Sequence, residues 1–247
     1  MSAKRARFYS AKGPNKDAII SGLTWLLQEP GNEAFIAVSV NGILERGYVK
    51  TVLGGQISKG LIKDGSVKIR RKTITLITKR REIVNGNGNP ILAIYPDKNY
   101  LDELDSIPNV SAMMVVPNRF EDINGWAIAH GASDLNPQST YQVTPVAPVS
   151  VVVERALTSM MTSVNEANGV KASGKDRNVC IETFKILHRN GEFFDPMAVK
   201  SWLIQNGWKA TTAEDALQIA RDIINRKKLR SQSWFVEDII EHWRSRN

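Results

Sequence analysis

The spacing of apolar residues changes near residue 136, and this change constrains the fold of the 247-residue chain more than any other feature. Before that point, short apolar runs of strand length alternate with stripes at helical spacing. After it, every apolar pattern is helical. A proline-containing stretch lies between the two regions. We therefore predict a first domain at residues 1–136, a linker at 137–150 and a helical domain at 151–247.

The first region predicts a Rossmann-like α/β domain. Residues 34–40 form a continuous apolar run, which is typical of a strand buried on both faces. Further strands are predicted at 73–78, 91–95 and 110–116, and an extra strand near Val67 is left open. Helices are predicted at 16–28, 43–53, 100–105 and 121–130. Strands that alternate with helices indicate a mostly parallel sheet, of about four to five strands in this chain.

The second region predicts a small all-α bundle with short turns. Asp195 and Pro196 mark a helix start, because the carboxylate accepts a free backbone N–H and proline suits the first helical position. Thr211 and Glu214 have the spacing of a capping box. The segments 195–206 and 211–225, joined by a turn containing Gly207, have the size of a helix-turn-helix. Outward side chains on the second of these helices are then Gln218, Arg221, Asp222 and Asn225.

The composition favours a polyanionic partner. Lys and Arg number 33 against 25 Asp and Glu, which gives a net charge of +8 and a sequence pI near 9.6. Such a field attracts nucleic acid, although a basic protein without that function is an open alternative. Two dense cationic clusters are candidate nucleic-acid-binding residues: Lys68, Arg70, Arg71, Lys72, Lys79, Arg80 and Arg81 in the first domain, and Arg226, Lys227, Lys228 and Arg230 in the second.

The second cluster has two interpretations. Positive charge at the end of a helix can contact phosphates, or it can simply complement the helix macrodipole. Trp234 and Phe235 follow the cluster, and such rings either stack on bases or fill the core of a small helical domain. Both alternatives stay open on the sequence.

A different candidate site lies at the carboxyl ends of the predicted strands. Loops that leave these ends of a parallel sheet converge on one crevice. Their cationic, amide and hydroxyl side chains, with a single carboxylate, suit an anionic or nucleotide-like ligand. The candidate ligand-binding residues are Ser39, Asn41, Thr78, Asp97, Lys98, Asn118 and Arg119. The alternative is that they form turns and cap helices, as Asp97 and Asn118 can.

The motifs of known catalytic and metal sites are not matched. Residues 169–175 fit the first seven positions of a phosphate-binding P-loop, but Asp176 occupies the eighth position and the preceding segment is helical. The three histidines are too far apart for a zinc motif, and Cys180 falls on an apolar stripe. We predict no catalytic residue, no metal site and no cofactor.

The sequence predicts a cytoplasmic protein. A lone cysteine cannot form an intramolecular disulfide and suits a reducing compartment. The basic N-terminus is not followed by an apolar run of the secretory type. No stretch approaches the roughly 20 apolar residues that span a bilayer, so no membrane contact is predicted.

The leading hypothesis is a non-enzymatic nucleic-acid-binding or regulatory protein that uses basic surfaces of both domains; whether it is DNA-binding or RNA-binding is open. One alternative is a ligand-binding or catalytic α/β domain with a helical partner domain. Another is a structural subunit that works with a protein partner or as a homo-oligomer. Nucleic-acid binding predicts an affinity that falls steeply with salt.

Overall fold

A computed structural model describes residues 4–10, 13–139, 147–165, 169–172 and 174–245 of the chain. The chain divides into two units, residues 1–144 and 145–247. The predicted linker, 137–150, lies partly outside the described residues, since 140–146 are not among them.

The first unit is a seven-stranded sheet with helices on both faces. Its strands are β1 (Lys4–Arg7), β2 (Glu33–Ala37), β3 (Ser66–Ile69), β4 (Lys72–Ile77), β5 (Ile91–Ile94), β6 (Ala112–Val116) and β7 (Ser133–Asp134). Its helices are α1 (Lys16–Gln28), α2 (Gly47–Leu53), α3 (Gly55–Asp64), α4 (Lys98–Asp105) and α5 (Asn124–His130), with short 3-10 helices at Asn41–Ile43 and Phe120–Asp122.

The strand order is β3-β4-β2-β5-β6-β1-β7. Within the described residues, every neighbouring pair is parallel except β3 and β4, which form an antiparallel hairpin. The predicted mostly parallel α/β sheet is therefore confirmed. The sheet has seven strands rather than the predicted four to five. The two additional strands, β1 and β7, have no apolar run that would predict them.

Strand β1 is cationic, with the sequence Lys-Arg-Ala-Arg, and this explains why no apolar pattern marked it. It pairs with β6 on one side and β7 on the other. Arg5 and Arg7 are accommodated because each meets a carboxylate: an Arg5 nitrogen lies 2.8 Å from Asp105, and an Arg7 nitrogen lies 3.6 Å from Asp134. Burial of charge in a sheet requires such partners.

Two hydrophobic cores cover the faces of the sheet. Alternate strand residues point to opposite faces, so Ile36 packs with α1, α2 and α3 while Phe35 and Ala37 pack with α4 and α5. Helix α1 has the predicted bounds, 16–28. The helix predicted at 43–53 is shorter in the structure, where α2 begins at Gly47. The prediction lacks α3 because the Gly54-Gly55 pair favours the end of a helix. Gly54, at φ 81°, does end α2, but α3 begins at the next residue.

The second unit is helical in its described residues. Its helices are α6 (Val151–Ser163), α7 (Lys175–Arg189), α8 (Pro196–Gln205), α9 (Ala210–Ile224) and α10 (Ile239–Arg244). They enclose one hydrophobic core that includes Phe184 and Trp243. The predicted start of α8 is confirmed, since Asp195 accepts the amide N–H of Met197 at 2.9 Å. The predicted capping box is wrong, because α9 begins at Ala210 and Thr211 lies inside its first turn.

Among the described residues, no helix is both long enough and apolar enough to cross a membrane.

Candidate functional site

The strand-end residues predicted from the sequence lie along one edge of the sheet. Strands β4, β2, β5 and β6 are parallel neighbours, so their carboxyl ends face the same side. Each of these strands is followed by members of the predicted set. They are Thr78 after β4, Ser39 and Asn41 after β2, Asp97 and Lys98 after β5, and Asn118 and Arg119 after β6.

Several of these side chains stabilise the edge itself. Asp97 caps α4, accepting the Tyr100 amide N–H at 2.9 Å, and its other oxygen lies 2.9 Å from Lys79 Nζ. Partial burial raises the pKa of Asp97, but the Tyr100 amide and Lys79 outweigh it, so the net pKa is lowered. Thr78 is buried, and its hydroxyl accepts the amide N–H groups of Arg80 and Arg81. These are helix-capping and turn-forming roles.

The charged members of the set are also paired. Lys98 Nζ lies 3.7 Å from Asp102, four residues along α4, and Arg119 Nε lies 3.4 Å from Asp122. Ser39 is half-buried, whereas Asn41 and Asn118 are exposed. The set therefore shares an edge, but most of its functional groups are engaged with neighbouring residues.

Cavities lie at this same edge. One, of about 550 Å³, opens between the ends of β2 and β5, and its walls include Val40, Arg46, Tyr48 and Tyr95. Another, of about 410 Å³, lies beside the start of α1 at Ser10 and Asn15. Sequence reasoning missed these wall residues, because it ranked polar loop residues above aromatic ones. Only the fold reveals that Tyr48 and Tyr95, 47 positions apart in the chain, line one space.

The first cationic cluster is divided between opposite ends of β4. Lys68, Arg70 and Arg71 lie on and around the β3–β4 turn at the amino end, where all three are exposed. Lys72 is buried, and its ammonium donates to the Glu29 carbonyl at 2.7 Å. Burial lowers the pKa of Lys72, more than nearby Glu29 raises it. Lys72 therefore contributes to the packing of the fold rather than to an exposed cationic surface.

The remaining members follow the carboxyl end of β4. Lys79 pairs with Asp97, and Arg81 donates to the Leu61 carbonyl near the end of α3 at 3.4 Å. Arg80 is exposed. Residues 68–72 and 79–81 are thus separated by the length of a strand, and they do not form one continuous patch.

The second cationic cluster lies where α9 ends. Arg226 has a left-handed backbone, φ 57°, directly after the helix, and Lys227 lies 2.7 Å from Asp222. The Lys227 hydrogen bond lowers the pKa of Asp222, and the charge of Arg177 on α7 adds to that lowering. Helices α7 and α9 also pack against each other.

The chain that follows α9 runs along α7. Ser231 Oγ accepts from Lys185 Nζ at 2.6 Å, and Lys175 Nζ lies 4.7 Å from the centre of the Trp234 ring. The Trp234 side chain stays 46% exposed, whereas Phe235 packs against the core. The two aromatic residues therefore differ in role. We call the group formed by exposed Lys175, Arg226, Lys227, Lys228, Arg230 and Trp234, together with half-buried Arg177, the α7–α9 face.

The glycine-rich segment that resembles a P-loop connects two helices, α6 and α7, and residue 173 within it lies outside the described residues. Cys180 on α7 is fully buried, and burial raises the pKa of its thiol. The described residues contain no group of three or more His, Cys, Asp or Glu side chains arranged to hold a metal ion.

Part of the second unit matches a known protein family. Residues 149–244, which include helices α6 to α10, match a family model described as a domain of unknown function, DUF1889. No curated protein and no solved structure matches the chain.

Proposed function

We propose that the protein binds nucleic acid through the α7–α9 face. The observation that supports this proposal is the half-exposed Trp234 ring, held beside Lys175 and following a run of exposed cations. Within the described residues, Arg226, Lys228 and Arg230 have no carboxylate in an ion pair, so their charges are available to phosphates. The overall charge of +8 attracts the same kind of partner.

Single-stranded nucleic acid suits this combination of groups best. Cations that follow a backbone, together with an aromatic ring on which a base stacks, are the usual elements of single-strand recognition. Lys175 contacts the Trp234 ring, and the ring keeps enough exposed surface for a base. The proposal therefore assigns phosphate contacts to Arg226, Lys228 and Arg230 and base stacking to Trp234.

Duplex reading by a helix-turn-helix is the second candidate. Helices α8 and α9 pack together, and Gln218 and Arg221 on α9 are exposed, as is Asn225 directly after it. The Asp222 carboxylate accepts hydrogen bonds from Lys227 Nζ and, at 2.8 Å, from Gln218 Nε2. Recognition through α9 predicts that duplex DNA binds more tightly than single strands and that Arg221→Gln weakens it.

We expect the triple variant Arg226→Gln, Lys228→Gln and Arg230→Gln to bind labelled single-stranded DNA and RNA more weakly and with a smaller salt dependence. Each lost phosphate contact reduces the slope of log K against log salt by about 0.7 for a single strand. Fluorescence anisotropy across a salt series measures both quantities.

A matched control is the variant Lys68→Gln, Arg70→Gln and Arg71→Gln, which removes the same charge from the first unit. If both triple variants lose affinity equally, net charge explains binding and the α7–α9 face has no special role. Trp234→Ala tests stacking separately, since a base stacked on an aromatic side chain contributes about 1–3 kcal/mol. An unchanged affinity for single strands in Trp234→Ala would contradict the stacking assignment.

A further inference from the structure

The two loops that meet at the centre of the sheet leave it in opposite directions. From β2 the chain passes to α2 and α3 on one face and then through the edge strand β3 to β4, whereas from β5 it passes to α4 on the other face and then to β6. Because β2 and β5 are neighbours, their carboxyl ends form a topological switch point. Ligands of open α/β sheets bind in the crevice at this point.

Tyr95, the first residue after β5, has an unusual backbone that turns its side chain into this crevice. Along β5, Ile91 and Ala93 face the α4–α5 core, while Leu92 and Ile94 face the α1–α3 core. Continued alternation would place Tyr95 with Ala93. Instead its φ of 53° is left-handed, and the ring packs on the α1–α3 side with Ile94.

This conformation is disfavoured for a bulky residue, and such residues concentrate at functional sites. The Tyr95 amide is anchored to the Val116 carbonyl of β6 at 2.8 Å, and buried Pro96 follows. The neighbouring strand therefore holds the backbone in place. The left-handed backbone determines where the Tyr95 phenol lies.

The Tyr95 hydroxyl is buried and, within the described part of the chain, has no hydrogen-bond partner. Burial raises its pKa, and the nearby Tyr48 phenol raises it further, so the hydroxyl stays a donor at neutral pH. Buried tyrosine hydroxyls nearly always have a partner. Because water in the adjoining cavity does not reach this hydroxyl, a ligand supplies the partner by displacing the wall side chains around Tyr95 as it binds.

The residues that line the cavity indicate the chemical class of its ligand. Its volume of about 550 Å³ is suitable for a small molecule. Aromatic and aliphatic side chains dominate, and among the described wall residues the one charged side chain is that of Arg46, which is exposed. Val40 and Tyr48 remain 58% and 50% exposed, which leaves apolar surface for a flat ring. The wall residues include Pro14, Val40, Ile43, Arg46, Tyr48 and Tyr95.

We propose that this cavity binds a nucleoside monophosphate. The base packs against Tyr48, Tyr95 and Val40, and a ring acceptor of the base takes the hydrogen bond of the Tyr95 hydroxyl. The Arg46 guanidinium pairs with the phosphate, an anion whose oxygens match its fork of donors. This site belongs to the first unit and stands independently of nucleic-acid binding by the second.

Isothermal titration calorimetry of the full chain tests the site with AMP, GMP, CMP and UMP, and with adenosine, inorganic phosphate and nicotinate as comparison ligands. We expect at least one nucleotide to bind more tightly than its nucleoside and than phosphate. Tyr95→Phe removes only the hydroxyl and should weaken nucleotide binding about tenfold. Arg46→Gln should weaken binding of the nucleotide but leave the nucleoside unchanged.

Three matched variants provide controls. Tyr100→Phe removes another buried hydroxyl that lacks a partner among the described residues, but on the opposite face of the sheet. Arg80→Gln removes an exposed cation at the same edge. The triple variant of the α7–α9 face reports any contribution from the second unit. We expect nucleotide binding to be unchanged in Tyr100→Phe and Arg80→Gln, and any affinity that the triple variant loses belongs to the second unit rather than to the cavity.

Several results would overturn the assignment. One is that no nucleotide binds at millimolar concentration; another is that Tyr95→Phe binds like the wild type or no more weakly than Tyr100→Phe. Equal losses of AMP and adenosine affinity in Arg46→Gln would remove the phosphate from the proposal. Tighter binding of nicotinate than of every nucleotide would identify a small aromatic carboxylate instead.

Discussion

Asp105 is a buried carboxylate with a charged or hydrogen-bonding partner at each oxygen. Its side chain is 3% exposed, with one oxygen 2.7 Å from His130 Nε2 and the other 2.8 Å from an Arg5 nitrogen. Burial raises the pKa of Asp105, but the His130 hydrogen bond and charge and the Arg5 charge outweigh it and hold the pKa at about 2. The carboxylate thus ties α4 and α5 to β1.

We expect Asp105→Asn to be strongly destabilising at neutral pH, by about 3 kcal/mol, because Arg5 then lacks its buried counter-charge. The folded pKa lies below the ordinary value of 3.8, so the stability from Asp105 is present above about pH 4 and disappears as pH falls toward 2. Urea unfolding between pH 7 and pH 2.5 measures the effect.

The difference in unfolding free energy between wild type and Asp105→Asn should therefore shrink as the pH falls. Glu103→Gln, an exposed substitution on the same helix, is the control and should change stability little. A wild-type advantage that is constant over this range would contradict the assignment of the low pKa to Asp105.

Among the elements, the α8–α9 pair depends on a contact that its local sequence does not reveal. Glu214 has capping-box spacing from Thr211, but its carboxylate accepts from Lys200 Nζ at 2.8 Å. Lys200 lies on α8 and its side chain is 2% exposed, whereas that of Glu214 is 25% exposed. The pair joins two helices that are neighbours in sequence.

We expect Glu214→Gln to destabilise the protein by about 3 kcal/mol, since it removes a carboxylate charge that pairs with a buried ammonium. Lys200→Met removes the charge and retains an apolar chain, so it should cost less. The double variant Lys200→Met with Glu214→Gln should recover stability relative to Glu214→Gln alone. A double-mutant cycle by urea unfolding gives the coupling, and strictly additive effects would show that the pair is not coupled.

For the whole molecule, the main feature is that each unit encloses a hydrophobic core of its own. Phe184 is fully buried in the core of the second unit, and Leu92 is fully buried in that of the first. A large cavity made at either position destabilises the residues that pack around it.

We expect Phe184→Ala to accelerate amide hydrogen exchange in α6 to α10 and to leave β2, β5 and β6 protected as in the wild type. Leu92→Ala, the matched change in the first unit, should have the opposite distribution. Each substitution should cost on the order of 3–5 kcal/mol of its unit's stability. Uniform acceleration through both units in either variant would show that the chain opens as one cooperative body.

The sequence by itself determined features that depend on neighbours a few residues away. The helix 16–28, the Asp195 cap and the apolar strands after residue 33 have their signals in periodicity or in one side chain and the next backbone turn. Such signals need no knowledge of distant partners, because a cap or an amphipathic stripe is a local arrangement. The α/β class of the sheet followed from them.

Only the tertiary structure decided which charged side chains form ion pairs with each other and which aromatic residues line the same cavity. Arg5 lies 100 positions from Asp105, and Lys79 lies 18 positions from Asp97, so no local pattern relates them. The left-handed Tyr95 also depends on β6, which fixes its amide. Strand β1 became part of the sheet for the same physical reason: long-range hydrogen bonds and buried ion pairs can overcome local propensity, and sequence periodicity does not record them.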